Sequence, residues 1–436
     1  MHRTPAGLGN YYEASAGGAT QYPAAAAATD VAVLVIGGGY AGLATALGLA
    51  DRGVKDVALI ESERIGHGAS GRNGGFVFAG FSLGESALLD RVGAAQARAL
   101  YAQTREAVAL VRRRVAEHRI DCDLVDEGVI WANWFRDSEP QRARQRLLAE
   151  HFDTRWASID AATLRALLHT DRYHGGMWER DALHLHPLKW ARGMATAASA
   201  RGVAIHERSP AVQLLRHGAG WRVTTQAGAI FHAAQVVLCC GGYLSGLSSR
   251  IDRSVLPIAT YVMATAPLGE RLGTVFSGTR AAVYDSRFAF DYYRPLGDTR
   301  LLWGGRISIL DRSPEAVARL LRSDMLRVYP QLHDVPVEYA WSGLMSYARH
   351  EMPQVGRLEP GLWYAQAFGG HGLATTIAAG EAIADGIAGN ASAWRAYAPF
   401  GLPWAGKPIG FAAAQLTYSW MQMRDAIKDR REQRAP

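Results

Sequence analysis

Cysteine is scarce in this sequence: Cys122, Cys239 and Cys240 are the three among 436 residues. So few build no disulfide framework, and none has the spacing of a zinc site or of a paired redox dithiol. Disulfide-reductase chemistry is thereby excluded. Cys239 and Cys240 close an apolar run and are expected to be buried packing residues. The first 29 residues lack a basic start followed by an apolar core, so no secretory signal is expected and a cytoplasmic location follows. The formal charge of +7 is spread along the chain. Its densest runs, Arg112 to Arg114 and Asp429 to Arg434, read as solvated helix faces, and with no accompanying motif nucleic acid is not an expected partner. His184 and His186 have no evident third ligand, so no metal is expected. Charge is missing altogether from Val31 to Ala50, a length that could span a bilayer. Five glycines in that stretch, with Asp30 and Asp51 at its ends, fit a buried strand, turn and helix better, so no membrane span is expected. A chain of this length is expected to fold as two domains.

That uncharged stretch organises the rest. Val31 to Ile36 is a continuous apolar run, the pattern of a strand buried on both faces of a parallel sheet. Gly37, Gly39 and Gly42 follow as G-x-G-x-x-G, and Leu43 to Ala50 reads as a helix. In such a turn the first glycine permits the bend, the second admits a pyrophosphate and the third lets helix and strand close. The helix N-terminus then holds the phosphate charge. A second apolar run, Val57 to Ile60, ends in Glu61, where an acidic side chain would accept hydrogen bonds from a ribose. Tyr40, Ala41 and Ser62 are expected along the same dinucleotide.

Residues 64–75 are too rich in glycine for a helix or strand interior. They read as a loop closing on something flat or charged, with Ser70, Arg72 and Asn73 offering hydrogen bonds. Helical patterning covers about 84–149, interrupted near 126–132 by a turn and short strand, and resumes at 158–168 and 188–200. Short strands are expected at 202–206, 211–215, 221–225 and 229–233, then a buried one at 235–240 running into Gly241. Residues 255–341 alternate strand patterns with one helix near 314–328. Strand, glycine-rich turn and helix recur at 361–388, where Gly370, His371, Gly372 and Leu373 would present a second helix N-terminus to the same cofactor. A final helix, about 412–430, carries Leu416, Trp420 and Met423 on one apolar side, expected to dock on the body or a subunit partner rather than on a membrane.

Together these motifs resemble the FAD-dependent amine and amino-acid oxidases of the D-amino-acid oxidase superfamily, and among them bacterial γ-glutamylputrescine oxidase-like proteins. The most specific elements are residues 66–75, Gly369-Gly-His-Gly-Leu373 and the Val35-Ile-Gly-Gly-Gly-Tyr40 opening. The resemblance implies an α/β fold (α+β overall): a discontinuous Rossmann-like FAD-binding domain from 30–88, 184–248 and 350–392. A mainly antiparallel substrate domain would come from 89–183 and 249–349, with 393–436 as a helical tail. It places Gly68, Ala69, Ser70, Arg72, Asn73, Gly74 and Gly75 beside the flavin ring, Val212 and Gly241 near the adenine-ribose end, and 370–373 near the pyrimidine edge. It also implies noncovalent FAD: no cysteine follows Cys240, which removes one tether, and His67 is the remaining candidate for another.

The reaction so implied removes hydride from the carbon bearing an amine nitrogen, hydrolyses the imine and returns electrons to O2 as hydrogen peroxide. Relatives that activate oxygen with a substrate-domain lysine differ from this chain, which has none between Lys189 and Lys407. The alternatives are a flavin dehydrogenase with another acceptor and a non-catalytic flavin-binding subunit. Tyr292, Tyr293 and Trp341 are candidates for an aromatic amine pocket. Arg349 and Arg306 are candidates to clamp a carboxylate, and His350 to orient the amine or pass protons.

Overall fold

In the computed structural model, which describes residues 8–18, 20–244, 246–309, 311–389, 392–407 and 409–434, Thr29–Ile36 lies inside an eight-stranded sheet. It runs parallel to Val57–Ile60 on one side and to Ile230–Leu238 on the other. Ala204–His206 and Leu362–Gln366 extend the sheet in parallel, and Gln354–Glu359 closes one edge antiparallel. The register is flush where it matters: Ile36 is level with Ile60 and Leu238, and Leu238 with Tyr364. Strands that end together leave their loops facing one crevice, the usual ligand position in an open parallel sheet.

The uncharged stretch is thus two short elements, the strand and a helix, Tyr40–Asp51, which begins three residues earlier than its apolar pattern suggests. This helix crosses Gly372–Ile387 at a contact of small residues. A Cβ on Gly380 would lie 2.5 Å from that of Ala44 and 2.8 Å from the Thr45 amide. Neither helix offers much side chain to interdigitate, so close backbone approach supplies the packing. Arg114 and Arg52 clasp the far ends through Glu381, Asp385 and Asp51.

The second sheet also has eight strands, in the order 337–347, 256–265, 301–308, 291–295, 282–285, 129–132, 176–179 and 157–159. Its neighbours are antiparallel except for Ala282–Asp285 beside Val129–Ala132. Pro314–Val328 packs Val317, Leu321 and Met325 against Tyr261, Tyr293 and Trp303 on one face.

Several boundaries differ from expectation. Residues 230–238 form one strand, not two. The 158–168 segment is a short strand, Ala157–Ile159, then a helix from Ala161 capped by Asp160, whose Oδ1 accepts from the Thr163 amide at 2.7 Å. The long helix Glu85–Glu117, broken at Gly93 (φ 77°), turns Leu100, Tyr101, Val108 and Val111 into the core of the first sheet. The apolar side of this helix packs against the Gly372–Ile387 helix.

The last helix, Ile409–Arg434, is bound to the second domain. Tyr418 Oη accepts from the Ile307 amide at 3.1 Å and Asp425 from the Phe288 amide at 2.7 Å. Asp429 accepts from Trp134 Nε1 (3.1 Å), Arg327 (3.0 Å) and Arg172. Leu416, Trp420 and Met423, the side expected to dock on the body or a subunit partner, do not pack on the body of the chain and are exposed.

Candidate functional site

A cleft of about 1400 Å³ opens where the parallel strands end. Ordinary small-molecule pockets measure roughly 300–1,000 Å³, so there is room for a dinucleotide and a substrate together. Gly37, Gly39, Tyr40, Ala41, Glu61 and Ser62 line one end of it, with Gly241 beside them. Gly68, Ala69, Ser70, Arg72, Asn73, Gly74 and Gly75 form a side wall, and Gly370, His371, Gly372 and Leu373 lie across from them.

The glycines have steric reasons to be there. Gly37 adopts φ 117°, and a Cβ on it would sit 2.5 Å from the Cys239 carbonyl oxygen. A Cβ on Gly42 would fall 1.9 Å from the Gly37 carbonyl oxygen. Gly42 does not reach the cleft; it lets the helix start close enough for Gly37 to hold the turn. The Tyr40–Asp51 helix has no side-chain bond from its Gly39 cap, although Ser70 Oγ accepts from the Tyr40 amide at 2.9 Å. Glu61 braces the turn, accepting from the Gly38 amide at 2.6 Å and the Glu63 amide at 3.0 Å. Gly372–Ile387 likewise begins at the cleft with no side-chain cap. Two helix N-termini facing one space, with a glycine cradle at the first, fit a ligand carrying a pyrophosphate and a second electron-rich end. FAD is such a ligand.

The loop between them is pinned from behind. Asn73 Nδ2 donates to the Ala69 and Ser70 carbonyls (3.0 and 3.1 Å), and Trp341 Nε1 to the Arg72 carbonyl at 2.9 Å. Trp341 is therefore a buttress outside the cleft lining. The same alternation along one strand separates the two tyrosines, since neighbouring side chains point to opposite faces. Tyr292 lines the cleft, in space that glycine leaves at positions 74 and 304. Tyr293 is buried on the other face, stacked on Trp303 at 4.4 Å and bonded to Tyr329. Alternation also removes Val212, which is 56% exposed while Ala211 lines the cleft. His350 lies beneath the surface against Phe400, accepts from the Met352 amide and is not part of the lining. Arg306 reaches the cleft but is held in a two-point pair by Asp324. Arg349 lines it with no ion pair among the described residues. Cys240 is half-buried at the cleft rather than fully packed away, and burial pushes its thiol up to about 12.

Several lining residues escape sequence reasoning. Phe78 stacks on Tyr284 (5.8 Å), Tyr284 on Trp131 (6.3 Å), and Phe290 and Tyr292 continue the aromatic wall. The His371 ring meets the Phe78 face edge-on at 4.8 Å; burial, with Arg144 nearby, pulls its pKa to about 4, so it is neutral at pH 7. Arg144 lies over Trp131 at 5.0 Å and is clamped by Glu85 at 3.0 and 2.7 Å. Nothing marks Arg144 among the other arginines of its helix. His184 and His186 have structural partners: the Arg280 carbonyl for one, Ser15 and the Lys189 amide for the other. No group of three or more potential ligands stands ready for a metal among the described residues, and no described helix is long and apolar enough to cross a membrane.

Behind this wall Glu179 is fully buried. Its Oε1 accepts from the Ala79 amide at 3.4 Å, while Oε2 and the nearby Tyr101 Oη have no partner. Burial raises its pKa to about 8. The folded form keeps a proton that the unfolded chain gives up near 4.5, so Glu179 lowers stability progressively as pH rises from 4.5 to about 8. His371, depressed to about 4, acts in the opposite sense: its contribution is complete above about 6.5 and is lost as pH falls. Glu179→Gln mimics the protonated carboxyl. Its melting temperature is expected to match wild type near pH 5 and to exceed it by a few degrees near pH 8, read from melting curves across that range.

Residues 32–386 match the family described as FAD dependent oxidoreductase, DAO. The chain is 32% identical to gamma-glutamylputrescine oxidoreductase of Escherichia coli over 390 residues, covering 89% of this chain and 91% of that one. It is 31% identical to a probable oxidoreductase, OrdL, of Haemophilus influenzae, covering 87% and 88%. Among solved structures, glycine oxidase from Geobacillus kaustophilus superposes with a TM-score of 0.72 at 20% identity, covering 86% of this chain and 99% of that one. L-proline dehydrogenase from P. horikoshii gives 0.70 at 19%, covering 85% and 97%. These two share the α/β fold derived above.

Proposed function

The chain belongs to the FAD-dependent oxidoreductase family, and on that premise we propose that it oxidises the C–N bond of an amine or amino acid, with O2 as electron acceptor. The observation that carries this reading is one continuous cleft with a glycine cradle at one end and an aromatic wall at the other. FAD, when bound, would supply the two-electron oxidation of the carbon beside nitrogen, whose imine product water would hydrolyse.

The chain's residues would do the rest. Gly37, Gly39, Tyr40 and Ala41 hold the pyrophosphate, Glu61 and Ser62 the ribose, and Gly68 to Gly75 with Gly370 to Leu373 the ring system, without a covalent bond. An alkylamine has a pKa near 10.4 and is almost wholly protonated at pH 7. Phe78, Trp131, Tyr284 and Tyr292 exclude water around it, which disfavours the charged form and releases the nitrogen lone pair. His371, already neutral, adds no positive charge to oppose amine entry. Arg349 is the cleft arginine whose charge is left for a substrate carboxylate, since Arg72, Arg144, Arg287 and Arg306 are each paired with acids.

The test is the visible spectrum of the yellow protein under argon, before and after γ-glutamylputrescine, putrescine, glycine and proline. Bleaching by one of them supports the reading. Reoxidation on admitting air supports O2 as acceptor, whereas slow reoxidation in air favours the dehydrogenase, consistent with the missing lysine between Lys189 and Lys407. A flavin that no amine bleaches rejects the enzyme in favour of a flavin-binding subunit. Arg349→Gln is expected to raise KM about tenfold for a carboxylate-bearing amine and to leave putrescine unchanged.

A further inference from the structure

The Ile409–Arg434 helix is apolar on two sides. Its inner side, with Ala414 and Tyr418, roofs the cleft and meets the second domain. Its outer side carries Leu416, Trp420, Met423 and Ile427, spaced at alternating steps of four and three residues, whereas Trp404, Ile409 and Ala413 line the cleft. The four form a stripe along the helix, and each is exposed, from 42% at Ile427 to 70% at Leu416. Isolated exposed apolar residues are ordinary; four in one line are not.

Charge is sorted across the same helix. Asp425 and Asp429 are buried against the second domain, and Glu432 is half-buried, accepting from the Arg136 amide at 2.8 Å. The exposed ionic residues are Arg424, Arg430 and Arg431, and none has an ion pair among the described residues. Ahead of the helix Arg250 and Arg253 are exposed as well, and the Arg253 carbonyl accepts from the Ala405 amide. The exposed side of the helix is therefore apolar along its middle and cationic toward its C-terminal end.

From this sorting we infer that the C-terminal helix docks the protein on an anionic lipid surface, lying in the interface with Leu416 and Trp420 inserted and the arginines at the headgroups. A helix with an apolar stripe, tryptophan and unopposed arginine suits that position. A second copy of this chain fits less well. Its own outer face offers no acid to those arginines, and the stripe has four residues where stable interfaces use about 20–30 a side.

The experiment uses the full-length yellow protein and sedimenting vesicles of phosphatidylcholine, with and without an equal part of phosphatidylglycerol. The protein is expected to pellet with the anionic vesicles at low salt, at least about tenfold less at high salt, and to remain in solution with phosphatidylcholine alone. Leu416→Glu with Trp420→Glu, both pointing away from the cleft, is expected to abolish pelleting while the flavin spectrum is unchanged. Arg430→Glu with Arg431→Glu is expected to weaken it about tenfold. No pelleting of the wild type overturns the inference, as does pelleting indifferent to lipid charge or to the paired glutamates. Sedimentation velocity supplies the other arm: a dimer dispersed by the glutamates, with no vesicle binding, assigns the stripe to a second copy.

Discussion

Gly42→Val is expected to give a colourless protein. The first carbon of any side chain at position 42 would lie 1.9 Å from the Gly37 carbonyl oxygen and 3.3 Å from Val35 Cγ1. Neither neighbour can give way. Gly37 is fixed by its amide's bond to the Ile60 carbonyl at 2.9 Å, and Val35 is fully buried. The helix must therefore back away from the strand, and overpacking of this kind costs about 1–3 kcal/mol. The cradle is built from backbone groups, so even a small retreat of Tyr40 and Ala41 removes their aim. We expect FAD affinity to fall at least about 100-fold, equivalent to roughly 2.7 kcal/mol, measured by titrating apoprotein with FAD. Gly84→Ala is the control: its new Cβ meets nothing within 4 Å, and FAD binding should not change.

Arg294→Met is expected to have the largest effect on stability. This guanidinium is 2% exposed and is satisfied by neutral groups: the Gly74 carbonyl at 2.7 Å, the Leu185 carbonyl at 2.9 Å, Tyr12 Oη at 3.2 Å and His184 Nδ1 at 3.3 Å. It ties the N-terminal helix, the cleft loop and the second sheet together at one point. Methionine fills some of the volume but leaves two buried carbonyls unpaired, at about 1–3 kcal/mol each. A loss of about 3–5 kcal/mol is expected, seen as a lowered melting temperature with flavin release at the same transition. Lysine should recover little of it, because a single ammonium cannot span the fork that Arg294 forms.

The first sheet was readable because its signals are local. An apolar run, a glycine turn and a terminal acid fall within Val31 to Glu61, and the second glycine turn at 369–372 repeats the form. The helix Pro314–Val328 and the strand Val57–Ile60 were likewise set by periodicity and flanking residues. The aromatic wall was readable only at Tyr292. Phe78, Trp131 and Tyr284 come from three separate segments, and nothing local tells which face of each turns to the cleft. Tyr292 and Tyr293 show the limit: one register step separates a cleft residue from a core residue. Arg306 and Arg349 could not be ranked either, since the distinction rests on Asp324, eighteen residues away on a different element. The packing partner of the Glu85–Glu117 helix was hidden for a similar reason, as an amphipathic helix does not declare which core it will cover.

The sheet that carries the glycine cradle is drawn from both ends of the chain, with Thr29–Ile36 at its centre and Leu362–Gln366 two strands away. During synthesis the first strand, its helix and Val57–Ile60 emerge early, but Ile230–Leu238 follows much later and Leu362–Gln366 only after the strands of the second sheet. At about 5–20 residues per second that interval is tens of seconds. The second helix N-terminus arrives later still. Cofactor capture is therefore an event of the nearly finished chain, and a ribosome-bound product stalled before residue 362 would hold the glycine turn without a site for it to serve.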